Sequence, residues 1–202
     1  AGNAGFFGFF PNKQITTGEG GMIVSRRDHY GYDYEYNRAH GLNLSGRVYC
    51  AGHNYKLTAM QATVGVEQLK RFEELKQKRM KAARKNNKYL QGVNLITKYF
   101  STITNFDNPF IYHITLNKCF TKEKRDSIIK YLSYEGIPCK TYFDCVHLQP
   151  YYMKKYGYKE GDFPIAESIS DRSIALPFYP TMPVRHIRKV VKHLKGALLY
   201  VS

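Results

Sequence analysis

Apolar side chains recur along this chain at spacings that predict both helices and strands. Between Thr58 and Tyr89 they return mostly every three to five residues, which is typical of a long amphipathic helix. Residues 110–117 alternate between apolar and polar positions, which is the pattern of a half-buried strand. A last helix near the carboxyl end is predicted by a stripe suited to core packing, formed by Ile187, Val190, Val191, Leu194 and Leu198.

The first part of the chain predicts two strands and a short helix. An apolar run bounded by glycine and proline predicts a buried core strand, with aromatic residues Phe6, Phe7, Phe9 and Phe10. Met22 to Val24 predicts a second strand, and the polar residues 25–50 predict a loop that contains a short helix.

The second part of the chain predicts a small mixed domain. Thr121 is a suitable N-cap for a helix that Gly136 would end. Residues 137–142 predict a short strand, and residues 144–183, which hold five prolines, predict loop. A turn-rich segment at Asn105 to Pro109 places the predicted domain boundary between Gly92 and Asn108.

Composition favours a folded protein that does not span a membrane. Of the 202 residues, 43% are hydrophobic, which is ample for a packed core, and no apolar run approaches the roughly 20 residues that a span requires. Four cysteines without a Cys-x-x-Cys pair predict reduced thiols and a cytoplasmic location. The scattered histidines make a metal site unexpected.

The net charge of +15 predicts either an anionic partner or a compensating acidic segment. Between Lys70 and Lys88, nine basic residues stand against two glutamates. A nucleic-acid surface is one interpretation of this segment. A solvated helix face is the more usual one, and nucleic acid is not the expected partner. A positive field that attracts phosphate-bearing ligands fits better still.

Lys13 is the first candidate for chemistry. It stands at the mouth of the apolar run, where a lysine that leaves water loses the hydration that stabilises its charge. An uncharged amine can attack an aldehyde or a ketone to form a Schiff base. A lysine at a strand end can equally extend into solvent, and on the residues alone that interpretation is favoured because most lysines are solvated.

The sequence around Lys13 favours the Schiff-base interpretation over the solvated one. Residues 9–24, FFPNKQITTGEGGMIV, resemble the cofactor-lysine segment of the DegT (StrS-like) pyridoxal-phosphate sugar aminotransferases, and Lys13 matches the lysine. Further matching motifs cover essentially the whole chain: Arg38-Ala39-His40-Gly41, Gly52-His53-Asn54-Tyr55-Lys56-Leu57, His147-Leu148-Gln149-Pro150-Tyr151-Tyr152, Gly161-Asp162-Phe163-Pro164 with Ala166-Glu167, and Leu176-Pro177.

The resemblance implies an α/β chain that is the C-terminal portion of the fold type I aminotransferase fold. Residues 1–92 would be the remainder of the large cofactor domain, with the end of its sheet and a long linking helix. Residues 93–202 would be the small C-terminal α+β domain. The family's acidic partner for the pyridine nitrogen precedes the lysine, so we expect the N-terminal half to be missing and this chain alone to be inactive.

The resemblance also implies the cofactor contacts. Lys13 would hold pyridoxal 5'-phosphate and then move a proton. Gly8 stands where the family commonly has a serine for the cofactor phosphate, so only a backbone amide could serve there. Asn54 would reach the cofactor phosphate of the partner subunit in a homodimer with shared active sites. The alternative for Asn54 is an ordinary turn residue ahead of a helix.

Four further residues are candidate substrate contacts. The resemblance places Arg38 and His40 near the nucleotide or phosphates of the substrate, and the alternative for both is a solvated loop position. It brings His147 and Tyr151 to the substrate side in a later loop.

The implied reaction moves an amino group, with glutamate as donor, to a keto group of a nucleotide-linked sugar, in polysaccharide or antibiotic sugar biosynthesis. A sugar dehydratase of the same family is the second reading, although such relatives usually replace the lysine with histidine. A non-catalytic basic module that binds nucleic acid is the third.

Overall fold

The computed structural model describes residues 2–26, 28–98 and 108–201. It confirms a mixed α/β chain, which divides into two compact units, Ala1–Leu75 and Lys76–Ser202. The division lies within a helix, about 17 residues before the boundary predicted at residue 92. Most of the turn-rich segment that suggested that boundary lies outside the described residues, and the assignment of functional domains at residue 92 stays a prediction.

The first unit is built on an antiparallel ribbon. Strand β1 (Ala4–Gly8) pairs with strand β2 (Gly21–Ser25), with Phe6 opposite Ile23. Helix α1 (Asp28–Arg38) follows β2 and contacts it, and helix α2 (Ala59–Lys70) lies near the end of the unit. The predicted strands and short helix are therefore present in the expected order.

The predicted burial of the first strand is wrong for this chain. Phe6 is 70% exposed and Phe7 54% exposed, while Phe9 alone of the four phenylalanines is buried. The physical reason is that β1 and β2 form a sheet of only two strands, which cannot enclose large side chains on both of its faces. Helix α2 likewise has no buried residue, so its apolar positions do not form a core within this unit.

The predicted long helix is present with one break. It begins after the N-cap Thr58, whose side chain and that of Gln61 form a capping box at the start of α2. A turn at Arg71 separates α2 from helix α3 (Phe72–Tyr89). Helix α3 buries Met80, Ala82, Ala83 and Asn86, which lie from its middle onward, and the boundary between the two units falls near its start.

The second unit contains the hydrophobic core. Strands β3 (Ile96–Lys98), β4 (Tyr112–Leu116) and β5 (Ser173–Leu176) form an antiparallel sheet in the order β3-β4-β5. The alternation predicted for β4 is confirmed, because its residues 112, 114 and 116 are buried and its residues 113 and 115 are only partly buried. Helices α4 (Lys122–Tyr134) and α7 (Val184–Val201) pack against each other, and α4 also contacts β5.

The caps and stripe predicted for these two helices are confirmed. Thr121 accepts a hydrogen bond from the backbone N–H of Lys124 at the start of α4, and Gly136 follows its end with φ 70°. All five predicted positions of the α7 stripe are buried, and they join the core cluster of the unit.

Two predictions for the second unit are wrong. Residues 144–183 are not loop throughout, because they contain helices α5 (Pro150–Tyr156) and α6 (Pro164–Ser170), a short 3-10 helix at Val146–Leu148, and β5. Pro150 and Pro164 occupy the first turn of their helices, where the missing N–H has no partner to lose. Residues 137–142 form only an isolated bridge between Lys140 and Ala175.

Helix α7 offers a matched pair for testing how the core stabilises the protein. We expect Leu194→Ala to lower the free energy of unfolding by about 2–5 kcal/mol, because Leu194 is fully buried and truncation leaves a cavity. Leu199→Ala, in the same helix but 76% exposed, should change it by less than about 0.5 kcal/mol. Urea titration of both variants measures the difference, and equal effects would contradict this description of the core.

Candidate functional site

The loop between β1 and β2, which carries Lys13, is fixed by its backbone. Phe9 N–H donates to the Gly20 carbonyl at 2.8 Å, and Thr17 N–H donates to the Phe9 carbonyl at 3.1 Å. Thr16 Oγ1 donates to the same Phe9 carbonyl at 2.9 Å. The backbone N–H of Lys13 donates to the Phe10 carbonyl at 2.9 Å, so the lysine stands in a closed turn.

The threonine-glycine turn after the lysine is held from two sides. The Glu19 carbonyl accepts from Thr17 Oγ1 at 2.6 Å and from Gln61 Nε2 of α2 at 3.0 Å. Gly20 has φ 149°, and a Cβ there would lie 2.5 Å from Thr17 Oγ1. The turn therefore requires glycine at position 20. The hydrogen bonds from Thr17 and Gln61 are made to the backbone of Glu19 and not to its side chain.

Lys13 itself is exposed, which corrects the expectation that it leaves water at the mouth of a buried strand. The cause is the same as for Phe6 and Phe7, because the ribbon beside it has no buried face to shield the amine. The lysine nevertheless lies beside Gly8, since a Cβ at Gly8 would be 3.6 Å from Lys13 Cε. A larger residue at position 8 would thus touch the lysine side chain.

Asn54 lies beside the Arg-Ala-His-Gly segment. It forms a bridge with Ala39, while Tyr55 N–H donates to the Arg38 carbonyl at 2.9 Å and His40 N–H donates to the His53 carbonyl at 2.9 Å. The two predicted motifs are therefore joined by backbone hydrogen bonds between residues 13 and 17 positions apart in sequence. The side chains of Asn54, Arg38 and His40 are exposed.

Gly41 makes the pairing of the two motifs possible. It adopts φ 73°, and a Cβ at this position would collide with the carbonyl oxygen of Cys50. Tyr49 N–H donates to the Gly41 carbonyl at 2.8 Å, which closes the loop between the motifs.

A cleft in the first unit collects some of the predicted residues. It has a volume of about 970 Å³ and is lined by the ribbon, the end of α1 and the Asn-Tyr segment, through Phe7, Gly8, Arg38, His53 and Tyr55 among others. Gly8 and Arg38 thus share one cavity. His40, Asn54 and Lys13 are not among its lining residues.

The predicted substrate residues of the second unit have separate surroundings. His147 is nearly buried, and its Nε2 lies 2.8 Å from Glu167 Oε1. Tyr151 is 62% exposed, and its hydroxyl accepts from Lys155 Nζ at 3.1 Å. His147 therefore has a structural partner, whereas Tyr151 faces solvent.

Glu167 is a residue whose role the sequence reasoning missed. Its carboxylate lies in the first turn of α6 and accepts from the backbone amides of Gly161 at 2.8 Å and Phe163 at 3.0 Å, as well as facing His147. The hydrogen bonds from Gly161 and Phe163 lower the pKa of the Glu167 carboxyl, and His147 adds to the effect. The sequence signal was a glutamate shortly after a helix-starting proline, which is a position for helix capping.

Comparison with known proteins agrees with these motifs and this fold. The model of the DegT/DnrJ/EryC1/StrS aminotransferase family matches residues 1–195. The chain belongs to this family.

Relatives of known name are similar over nearly the whole chain. GDP-perosamine synthase of Caulobacter vibrioides is 29% identical over 98% of this chain and 53% of its own length. PseC of Helicobacter pylori, an aminotransferase involved in the biosynthesis of pseudoaminic acid, has a similar structure with a TM-score of 0.91 at 22% identity, covering 98% of this chain and 54% of PseC.

A protein of Streptococcus pneumoniae described as a candidate sugar aminotransferase, solved in its PLP form, has a similar structure as well. Its TM-score is 0.89 at 20% identity, over 99% of this chain and 53% of its own. The chain thus spans about half the length of the relatives it matches, and the resemblance to a portion of the aminotransferase fold is confirmed.

Two features are absent from residues 2–26, 28–98 and 108–201. Within these ranges, no helix has the length and apolar character needed to cross a membrane. The same ranges hold no group of three or more His, Cys, Asp or Glu side chains arranged to bind a metal ion.

The Glu167 contacts predict a pH-dependent contribution to stability. Because folding lowers the pKa of this carboxyl, its contribution is present above the usual value of 4.5 and is lost as the pH falls through the lower folded value. We expect Glu167→Gln to lower Tm at pH 7 and to reduce the loss of Tm between pH 5 and pH 3.

Glu160→Gln is the matched control, since Glu160 is an exposed glutamate of the neighbouring loop. Thermal melts across the pH range measure both variants. If Glu160→Gln and Glu167→Gln give the same pH profile, the contacts of Glu167 with Gly161, Phe163 and His147 do not have the stabilising role assigned to them.

Proposed function

We propose that this chain is the lysine-bearing part of a pyridoxal-phosphate-dependent aminotransferase that transfers an amino group from glutamate to a keto group of a nucleotide-linked sugar. The observation that carries the proposal is Lys13 in the closed turn between β1 and β2, inside the motif of a family whose model matches residues 1–195. The name of the GDP-perosamine synthase relative supports a nucleotide-linked sugar as the substrate class.

The residues present fit one side of the cofactor. Lys13 is an exposed residue on a turn that hydrogen bonds of the backbone and of Thr16 hold, and Gly8 beside it has no side chain. Asn54 is exposed and can donate its amide to a phosphate outside its own subunit. An acid for the pyridine nitrogen is not assigned among the described residues, so we propose that the rest of the protein supplies it.

The chemistry divides between the cofactor and this chain. Pyridoxal phosphate, when bound, supplies a carbonyl for amine exchange and a ring that accepts electrons. Lys13 Nζ would hold the cofactor at rest and, once released, carry a proton between two carbons of the reacting pair. The fixed turn orients this amine, and the exposed apolar faces of the ribbon would exclude water once the remainder of the large domain covers them.

Lys13 therefore has a direct test in the full-length protein. We expect Lys13→Ala to abolish the visible absorbance of the lysine-linked cofactor and to lower kcat by at least about 10³-fold, because the variant loses both the anchor and the proton carrier. Lys70→Ala is the control, since Lys70 is an exposed lysine of α2 that pairs with Glu67. An unchanged spectrum in Lys13→Ala would refute the assignment.

The same assay tests the proposal that the chain is incomplete for catalysis. The 202-residue chain by itself is expected to give no amino transfer from glutamate, since the cofactor ring would lack its acid. Measurable turnover by these residues alone would show that view wrong.

The shared site is tested by mixing two inactive variants. If Asn54 binds the cofactor phosphate of the partner, a mixed dimer of Lys13→Ala and Asn54→Ala protomers contains one site with both residues intact. We expect such mixtures to regain up to about one quarter of wild-type cofactor binding and activity, because random exchange makes half of the dimers mixed, with one intact site each.

Two results distinguish the shared site from a site within one protomer. Mixing Lys13→Ala with Lys13→Ala, as the control, gives no recovery under either arrangement. If Asn54 serves its own protomer, the mixture of Lys13→Ala with Asn54→Ala also shows no recovery beyond the average of its parents, and the cross-subunit role is refuted.

A further inference from the structure

Helix α7 presents a row of cations on its outer side. Its exposed positions include five basic residues, Arg185, Arg188, Lys189, Lys192 and Lys195. Spacings of three and four residues place them on one side of the helix, opposite the buried stripe. The sequence of α7 contains no Asp or Glu, so no acidic side chain of this helix neutralises them.

Helix α3 extends this row. The exposed cations of its second half are Lys81, Arg84, Lys85 and Lys88. The two helices meet where Arg188 Nε donates to the Tyr89 hydroxyl at 3.3 Å, with the guanidinium carbon 5.5 Å from the centroid of that ring. Because Lys85 lies one turn before Tyr89, the cations of α3 and α7 adjoin. These nine Lys and Arg residues are named the basic face.

The basic face accounts for most of the excess charge of its unit. Residues 76–202 hold 23 Lys and Arg residues against nine Asp and Glu residues, and residues 76–89 contain no acidic residue. Glu135 of α4 approaches α7, but its carboxylate lies 3.3 Å from His193 Nδ1, which is outside the basic face. A solvated helix face usually mixes both signs of charge. A surface of one sign creates a field that attracts an extended anion.

The carboxyl end of α7 adds exposed apolar side chains to the same surface. Leu199 is 76% exposed and Tyr200 is 89% exposed, both in the last turn of the helix. Leu199 follows Lys195 by one turn, so it continues the line of the basic face. Tyr131 of α4 lies alongside, since its hydroxyl would be 3.9 Å from a Cβ at Gly196. Apolar side chains grouped at the end of a charged surface indicate an interaction site.

Two kinds of extended anion can be compared with this surface. The phosphates of a nucleic acid match the cations, but a phosphate backbone offers no favourable contact to Leu199. An anionic phospholipid bilayer matches both parts of the surface. Its headgroups attract Lys and Arg, and the boundary below the headgroups accepts a leucine side chain and a tyrosine ring. The observations therefore favour a bilayer.

The packing of α7 limits how deep such binding can reach. The apolar stripe of α7 is buried in the core of the unit, so the helix cannot turn that stripe towards lipid. On α7, the exposed apolar residues that can reach below the headgroups are Leu199 and Tyr200. The binding is therefore shallow, with an electrostatic main part and an apolar anchor at one end.

We propose that the basic face, together with Leu199 and Tyr200, binds the surface of an anionic phospholipid bilayer. Surface binding of this kind needs no segment that crosses the bilayer. It is also independent of the proposed function, because neither Lys13 nor a cofactor takes part.

Flotation of the full-length protein with vesicles tests the proposal without turnover. One set of vesicles is phosphatidylcholine alone, and the other contains about one third phosphatidylglycerol, which supplies the negative charge. We expect binding only to the second set, with weaker binding at high salt because salt screens the attraction. The triple variant Arg185→Gln, Lys192→Gln and Lys195→Gln should bind at least about tenfold more weakly, because three of the attracted charges are lost.

A matched triple variant controls for the loss of net charge. Lys118, Lys154 and Lys159 are exposed lysines of the same unit that lie outside α3 and α7. Their replacement by Gln removes the same three charges, and binding should stay within about twofold of wild type because these lysines lie away from the bilayer. A loss as large as in the α7 triple variant would show that net charge, and not the basic face, attracts the vesicles.

The apolar anchor is tested separately. We expect the double variant Leu199→Ser and Tyr200→Ser to bind about tenfold more weakly, because two apolar side chains no longer leave water. This loss should persist at high salt, since apolar burial is not screened. Ile165→Ser is the control, because Ile165 of α6 is 78% exposed and outside the proposed surface. Ile165→Ser should bind vesicles as wild type does.

A fluorescent residue at the anchor reports where it lies. The 202 residues contain no tryptophan, so Tyr200→Trp introduces an indole whose emission is obtained as the difference from the wild-type spectrum. We expect this emission to shift to shorter wavelength with phosphatidylglycerol vesicles, because the indole enters the apolar boundary. An unshifted emission from vesicle-bound protein would contradict the role of the anchor.

Three flotation results would overturn the proposal. They are no binding to phosphatidylglycerol vesicles, equal binding to phosphatidylcholine alone, and unchanged binding in the double variant Leu199→Ser and Tyr200→Ser. In the first case, titration with oligodeoxythymidine shows whether a nucleic acid binds the basic face instead. Lys13→Ala should float as wild type does. A failure of the proposed function therefore changes the cofactor spectrum and activity, whereas a failure of this proposal changes only flotation.

Discussion

The loop that carries the candidate catalytic amine is joined to the end of its strand through the backbone of Phe9. Its N–H and its carbonyl both bond to the turn that follows Lys13, through Gly20, Thr17 and Thr16. Phe9 is also the buried member of the four phenylalanines, so its side chain and its backbone anchor the same point. A lysine that must first bind a carbonyl and then deliver a proton needs such an anchor, because catalytic geometry tolerates only small displacements.

The elements that the sequence predicted correctly are those whose pattern lies within the element itself and its flanking residues. The caps of α4, the buried stripe of α7 and the alternation of β4 all follow from residues within one element and its neighbours. The helices α5 and α6 escaped because their prolines suggested loop, although proline in a first turn is compatible with a helix. The strand predicted at residues 137–142 is not formed, because this segment pairs with Ala175 of β5 only through the single bridge at Lys140.

Burial in the first unit could not be predicted from local pattern. The aromatic run reads as a core strand, and β1 is indeed a strand, but its side chains are covered only if other layers lie against them. The same holds for α2, whose apolar positions are exposed although their period is helical. A hydrophobic pattern predicts the type of element and which of its faces can be buried. Whether that face is buried depends on the other elements that pack against it.

The site shows the same division between motif and environment. The motifs around Lys13 and Asn54 were visible in sequence, and the structure adds that the Arg-Ala-His-Gly and Asn-Tyr segments are joined by backbone bonds. Glu167 stood inside a quoted motif, yet its contacts with His147, Gly161 and Phe163 depend on how a loop folds back onto α6. Such contacts carry no periodic signal.

The two units differ in net charge. The first unit carries eight of the 31 basic residues and seven of the 16 acidic ones, so it is nearly neutral around its exposed apolar ribbon. A neutral apolar surface suits burial against further protein, because no charge has to be desolvated there. The strongly basic second unit suits ligands that arrive from water with phosphate groups, and the segment between Lys70 and Lys88 contributes to that field without itself having to touch a nucleic acid.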